Sequence, residues 1–242
     1  MSEANGHGSA PSVRMRDWNA SDPNEELRMK SEAAFGGPMD FAENEADFRC
    51  LYQPPSQLVK EKCIAELDQH CRNFIAHSPF LCMGTADADG SADVTPRGDA
   101  PGFVRVLNSK TLLIPDRPGN NRLDSMTNLT RNPHVGLIFF VPGVDETLRV
   151  NGLGKVVVRS DLFEHSAVQG KIPIAGILIE VREAFLQCAK ALKRSKLWSD
   201  DYRVPHGKLP SLGQMLVDQT NTEMTVEQLD KLIDTAYRER LY

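Results

Sequence analysis

The sequence predicts a mainly β protein with peripheral helices, its strands forming an antiparallel barrel. From Phe80 to Val181, short apolar runs recur at roughly ten-residue spacing, each closed by Gly, Pro, Asn or Asp. The connections between them are hairpin-sized, which argues against βαβ units. No GxGxxG or GxxxxGK(S/T) segment is present to support a nucleotide fold of the parallel type.

Each element has its own local cause. Met1 to about Pro54 is rich in Gly, Ser, Asn, Pro and acidic residues and reads as a mobile extension, with one short helix expected over Asn24–Phe35. Ser56 is placed to N-cap a helix running to about His77, with Val59, Cys63, Leu67, Cys71 and Phe74 as its buried stripe. Phe80–Ala86 and Ser91–Thr95 are strands joined by a tight turn at Asp89-Gly90. The segment Thr95-Pro96-Arg97-Gly98-Asp99 is expected to break the second strand and leave Arg97 at its end. Phe103–Leu107 and Thr111–Pro115 form the next strands.

Leu123–Leu129 is a short helix, and Val135–Val141 is the most hydrophobic strand. Thr147–Val158 alternates as a long strand, with Gly152 and Gly154 marking a bend or bulge. A helical excursion from Asp161 to about Gln169 precedes the last main strand or strands, Ile172 to Val181, continued by Phe185. Gln187–Leu197 reads equally as a docked helical turn or as an arm carrying cations and Trp198 to a site. Ser211–Val217 and Thr225–Tyr237 are helices, the second opened by a Thr225/Gln228 capping box.

Composition narrows the function. The 242 residues carry 33 acidic and 28 basic side chains without a basic block, so nucleic acid is not an expected partner. No apolar run approaches the ~20 residues of a membrane span, and a cytoplasmic protein without membrane association is expected. The five cysteines lack CxxC spacing and read as free thiols; the six histidines lack ligand spacing, so no metal site is expected. The one concentration of chemistry lies between Thr111–Pro115 and His134–Val141, where Asp116, Arg117, Asn120, Asn121 and Arg122 sit together. Clustered Arg and Asn offer a fork of donors to an anion, for which phosphate is the natural guest.

Several ordered motifs carry a resemblance. Pro96-Arg97-Gly98-Asp99, Pro101-Gly102-Phe103-Val104, Ile114 to Arg122, Asn132 to Phe139 and Pro142 to Gly152 resemble an uncharacterised flavoprotein branch of the pyridoxamine 5′-phosphate oxidase-like, FMN-binding split-barrel superfamily. The resemblance spans about Ser56 to Trp198. It implies an FMN-binding split β-barrel over 56–198; composition and helical patterning add a flexible extension over 1–55 and a helical extension over 199–242 expected to pack on the barrel.

The resemblance also implies FMN at a homodimer interface and an FMN-dependent oxidoreductase with a small-molecule electron donor and acceptor. Asn121 and Arg122 are implied to contact the phosphate, with Arg117 assisting and Arg97 beside the flavin or its phosphate. Thr95 and Pro96 would border the ring system, and Trp198 would wall the substrate pocket. Asp99 is read as orienting Arg97 or capping a turn. Glu146, Thr147 and Arg149 are left between a strand-edge ion pair with barrel packing and direct cofactor contact, while Asn151 and Gly152 would let the backbone approach the ring or a partner. No counterpart of the Arg-x-His substrate segment of authentic pyridoxamine-phosphate oxidases is found, so vitamin B6 oxidation is not expected. The alternatives are a non-catalytic flavin-binding or sensing protein, or a split barrel using haem or deazaflavin.

Overall fold

A computed structural model describes residues 41–158 and 161–242. The chain divides into two units, Met1–Pro55 and Ser56–Tyr242. In the first, the described part holds one short helix, α1 (Glu45–Arg49), closed by a capping box between Asn44 and Asp47 and burying none of its residues. The helix expected over Asn24–Phe35 lies outside the described residues.

The second unit is built on seven strands: β1 (Phe80–Ala86), β2 (Ala92–Gly98), β3 (Arg105–Asn108), β4 (Thr111–Pro115), β5 (His134–Phe140), β6 (Thr147–Val158) and β7 (Ala175–Gln187). All pairings are antiparallel, in the order β2-β1-β5-β6-β7-β4-β3. This corrects the expected closed architecture. Closure requires the two outermost strands to bond to each other, and here β2 and β3 are left as edges of an open sheet. Pro96 removes a donor from β2, and β3 is four residues long with an irregular register between Val106 and Asn108.

The fold is therefore a mixed α/β arrangement, and two of its helices contribute to the core. Leu67, Cys71 and Ile75, in and before helix α3 (Gln69–His77), join the single core cluster with Leu81, Leu112, Leu137, Leu148 and Ile177 from the strands. Leu129 of helix α4 (Asp124–Arg131) joins it as well. Burial pushes the Cys71 thiol up to about 11, with Asp68 adding to the shift, so Cys71 behaves as a small hydrophobe.

Three sequence expectations change in detail. The single helix from Ser56 to His77 is two, α2 (Gln57–Glu61) and α3, although Ser56 caps the first as read. The break occurs because Ile64 exchanges both backbone bonds with Ala184 of β7, at 3.0 and 2.8 Å, and Asp68 then caps α3 through the Cys71 amide. Strand β2 does not break at Thr95; it continues to Gly98, paired as Leu81↔Arg97 and Phe80↔Gly98. The last strand is one 13-residue strand, β7, preceded by a 3-10 turn at Asp161–Ser166.

Other readings hold. The bulge falls at Asn151/Gly152, where a Cβ on Gly152 would stand 2.2 Å from the Glu180 carbonyl oxygen. Helix α5 (Lys190–Ser195) follows β7. Helices α6 (Leu212–Gln219) and α7 (Val226–Glu239) pack on each other, with the Gly213 amide bonded to Asp230 at 3.0 Å, and the Thr225/Gln228 capping box opens α7. Among the described residues no helix is long and apolar enough to cross a membrane.

Candidate functional site

Register alone decides which way the β2 side chains point. Arg97, Thr95 and Asp93 lie opposite Leu81, Met83 and Thr85 of β1, and cross-strand partners share a face. Leu81 and Met83 are fully buried. The three polar residues therefore stand on the core side of the sheet, half-buried at its open edge, while Val94 and Pro96 face outward and are exposed.

The connection after β4 runs alongside that edge. At one end, Arg97 Nη1 donates to Asp116 Oδ1 at 3.0 Å, and Arg117 Nε donates to Asp99 Oδ2 at 2.6 Å, so the two ion pairs cross. At the other end, Ser125 Oγ bonds Asp93 Oδ2 at 3.0 Å, and Asn128 Nδ2 bonds Thr85 Oγ1 at 3.1 Å. Residues 116 to 123 thus span β2 from Arg97 to Asp93, with Thr95 midway. The buried face of α4 (Ser125, Asn128, Leu129) seals this edge of the core.

The span itself is tightly turned. Asn121 and Leu123 both have φ of 59°, a left-handed conformation that non-glycine residues rarely adopt. The turn delivers Arg122 to the start of α4, where its Nε meets Asp124 Oδ2 at 2.6 Å. Leu123 occupies the N-cap position and supplies no side-chain bond, so the first-turn amides of α4 lack the usual capping acceptor.

The three arginines of this cluster, Arg97, Arg117 and Arg122, are therefore paired with aspartates, in quite different settings. The Arg122 pair is exposed, whereas the Asp99 side chain is 2% and the Arg117 side chain 17% accessible. Burial alone would raise the Asp99 carboxyl, but the Ala100 amide, the Tyr242 hydroxyl and Arg117 outweigh it and hold it below its ordinary 3.8. Asp99 thus caps a turn, as read, but orients Arg117 and not Arg97. Arg97 Nε is buried and has no hydrogen-bond partner among the described residues. A buried donor left unpaired costs about 1–3 kcal/mol, more when charged.

Trp198 lies elsewhere in the unit. Its Nε1 donates to the Val144 carbonyl at 2.9 Å, and Lys193 beside it pairs with Asp145 at 2.8 Å. Its described contacts are with the turn between β5 and β6 and not with the arginine cluster. Thr147 is buried, and Arg149 lies over the Phe185 ring at 5.1 Å without an ion pair among the described residues. Gly152 approaches the backbone of Glu180 within its own chain.

A concavity of about 670 Å³ opens on the outer face of β1, β5 and β6, lined by Gly84, Ala86, His134, Gly136, Asn151 and Arg182 among others. Asn151 and Gly152, named from the sequence as points of close approach, line it, whereas Thr95, Pro96, Arg97, Arg117, Asn121, Arg122 and Trp198 do not. Gly84 and Gly136 are direct cross-strand partners, and their signal, a lone glycine inside an apolar strand run, was legible. Tyr242, which donates to Asp99 at 2.8 Å across 143 positions, had no local signal. Among the described residues no group of three His, Cys, Asp or Glu side chains is placed to hold a metal ion.

A model of the pyridoxamine 5′-phosphate oxidase family matches residues 67–188, half of the chain, and this protein belongs to that flavin-binding family and to its FMN-binding split-barrel superfamily, even though its own sheet is open. No curated protein matches it. Solved structures similar to the chain include HupZ of Group A Streptococcus, with a TM-score of 0.41 and 17% identity over 50% of this chain and 93% of that one. An FMN-binding protein from Syntrophomonas wolfei has a TM-score of 0.36 and 10% identity over 48% and 81%. HutZ, the haem storage protein of Vibrio cholerae, has a TM-score of 0.34 and 16% identity over 50% and 94%.

Proposed function

We propose that this protein binds FMN at the open edge formed by β2 and the 116–124 connection, and that it acts as an FMN-dependent oxidoreductase on a small molecule. The observation that carries the reading is Arg97 Nε, a buried cationic donor that lacks an acceptor among the described residues. A phosphate dianion is an acceptor that suits it. Arg117 offers its two terminal nitrogens, which carry no hydrogen bond among the described residues. Arg122, the Asn121 amide and the uncapped first turn of α4 add donors. Thr95, whose hydroxyl makes only a 3.4 Å contact to the Pro96 carbonyl, and Pro96 border the ring system.

The aspartates set the terms of binding. Asp99, Asp116 and Asp124 balance the three arginines, so the cluster is close to neutral and phosphate binds through unused donors rather than by net charge. Bound FMN supplies electron transfer to and from the substrate. The chain's part is to anchor the cofactor by its phosphate and exclude water with the α4 face. Lacking an Arg-x-His segment, the chain is not proposed to oxidise vitamin B6.

The reading includes a homodimer with the flavin at its interface and a second copy covering the outer face of the sheet. A strand-interior glycine is destabilising by about 0.5–1 kcal/mol relative to alanine and often marks close approach of another backbone or a ligand. A Cβ on Gly84 would meet nothing nearer than 3.9 Å, and one on Gly136 nothing nearer than 3.4 Å, so packing within this chain does not require either. Val94 at 72% and Phe80 at 40% exposure on the same face support the same assignment. Trp198, at a turn beside that face, is proposed to wall the substrate pocket once the second copy is present.

Native mass spectrometry with an absorption scan of the purified protein tests this. One FMN per subunit in a dimer, followed by bleaching of the flavin band with NADH or NADPH, is the expected result. A protein that stays colourless after FMN addition overturns the cofactor assignment; a haem or deazaflavin spectrum replaces it.

A further inference from the structure

Asp99 sits at the centre of a three-residue assembly that the cofactor reading does not itself require. Its Oδ2 receives Arg117 Nε at 2.6 Å, and its Oδ1 receives the Tyr242 hydroxyl at 2.8 Å. The Tyr242 ring in turn lies under the Arg117 guanidinium, 5.6 Å from centroid to Cζ. Lys171 Nζ donates to the Tyr242 main-chain oxygen at 2.6 Å. Arg117 is thus fixed on its Nε edge by a carboxylate and on one planar face by an aromatic ring, and both constraints lead to Tyr242.

We infer that Tyr242 is a positioning residue for the anion site, setting how Arg117 presents its free edge to the cofactor phosphate. An unrestrained arginine surrenders rotamer freedom when it binds an anion, and a guanidinium already clamped and stacked has less to lose. The clamp uses Nε and a face, which leaves both terminal nitrogens in the fork that matches phosphate oxygens. Tyr242 therefore raises affinity for the phosphate without touching it. The hydroxyl also has a definite protonation state: its bond to Asp99 raises its pKa above the ordinary 10.0, so it remains a donor throughout the physiological range.

The inference rests on the proposed FMN site, and the experiment separates the two. Calorimetry with FMN and with riboflavin is run on the full chain for the wild type, Arg117→Ala, Tyr242→Phe, Tyr242→Ala and the Arg117→Ala/Tyr242→Ala double variant. Arg117→Ala is expected to reduce the ratio of FMN to riboflavin affinity by about tenfold, and Tyr242→Ala by nearly as much. Tyr242→Phe, which keeps the ring and drops the hydroxyl, is expected to lose about threefold. The double variant should lose no more than Arg117→Ala alone.

A wild type without preference for FMN overturns the FMN reading and the inference with it. A wild type that prefers FMN, together with a Tyr242→Ala variant that keeps the full ratio, overturns the inference alone, even if its melting temperature falls. Additive losses in the double variant also overturn it. If Tyr242→Ala does not fold, Tyr242→Phe decides the matter, an unchanged ratio being the overturning result.

Discussion

Arg97 and Asp116 meet at 3.0 Å across 19 positions of sequence, while Arg97 Nε of the same guanidinium is buried without a hydrogen-bond partner among the described residues. One nitrogen of this arginine is committed to an ion pair, and another is enclosed without a hydrogen bond among the described residues. A similar division holds at Arg117, and it explains how residues that are all ion-paired still constitute a candidate anion site.

The Asp99 carboxylate carries the stability of this corner. Replacing Asp99 with Ala leaves Arg117, only 17% accessible, without its counter-charge, and the expected loss is about 3 kcal/mol. Urea unfolding of the two proteins at pH 7 measures it. A difference below about 1 kcal/mol would place the pair with the exposed ones that matter little.

Acid should undo the same contact. The folded pKa of Asp99 is depressed below the ordinary 3.8, so its contribution is present above that value and is lost as pH falls through the folded pKa. As pH falls below about 4, the wild type is expected to lose stability more steeply than Asp99→Asn, as followed by unfolding midpoints on acidification. Tyr242 has the opposite sign, its raised pKa contributing stability below pH 10.0 that disappears as pH rises further.

Arg122→Ala should weaken FMN binding while sparing riboflavin. A charge-assisted hydrogen bond is worth about 1.5–3 kcal/mol, which is roughly 10- to 100-fold in affinity. The Arg122–Asp124 pair is exposed, so the melting temperature is expected to stay within about a degree or two. Equal FMN affinity of the two proteins by calorimetry would remove Arg122 from the site.

The glycine pair gives a test of the dimer that leaves the monomer intact. Gly84→Val adds side-chain bulk where this chain leaves room and replaces glycine with a strong strand former. The expected outcome is a monomer by light scattering with unfolding free energy unchanged or slightly raised. A dimer of wild-type affinity would exclude this face from the interface. In contrast, Gly152→Ala should destabilise the monomer itself by at least about 1–3 kcal/mol, because its Cβ would stand 2.2 Å from the Glu180 carbonyl oxygen.

Much of this protein is determined by sequence alone, because its causes are local. The alternation of Thr147–Val158, the caps at Ser56 and Thr225, the bulge at Gly152 and the concentration of Arg and Asn after Pro115 all follow from neighbours a few positions apart. Tertiary structure decided whatever depends on distant partners. Whether the sheet closes depends on β2 and β3, neither of which encodes the other's position. The helix expected from Ser56 to His77 breaks because Ile64 finds Ala184, 120 positions on. Arg97 selected Asp116 over the nearby Asp99, and Asp99 selected Arg117 and Tyr242, since the ion pairs form between side chains that folding places at one sheet edge, at separations over which sequence patterns carry no signal.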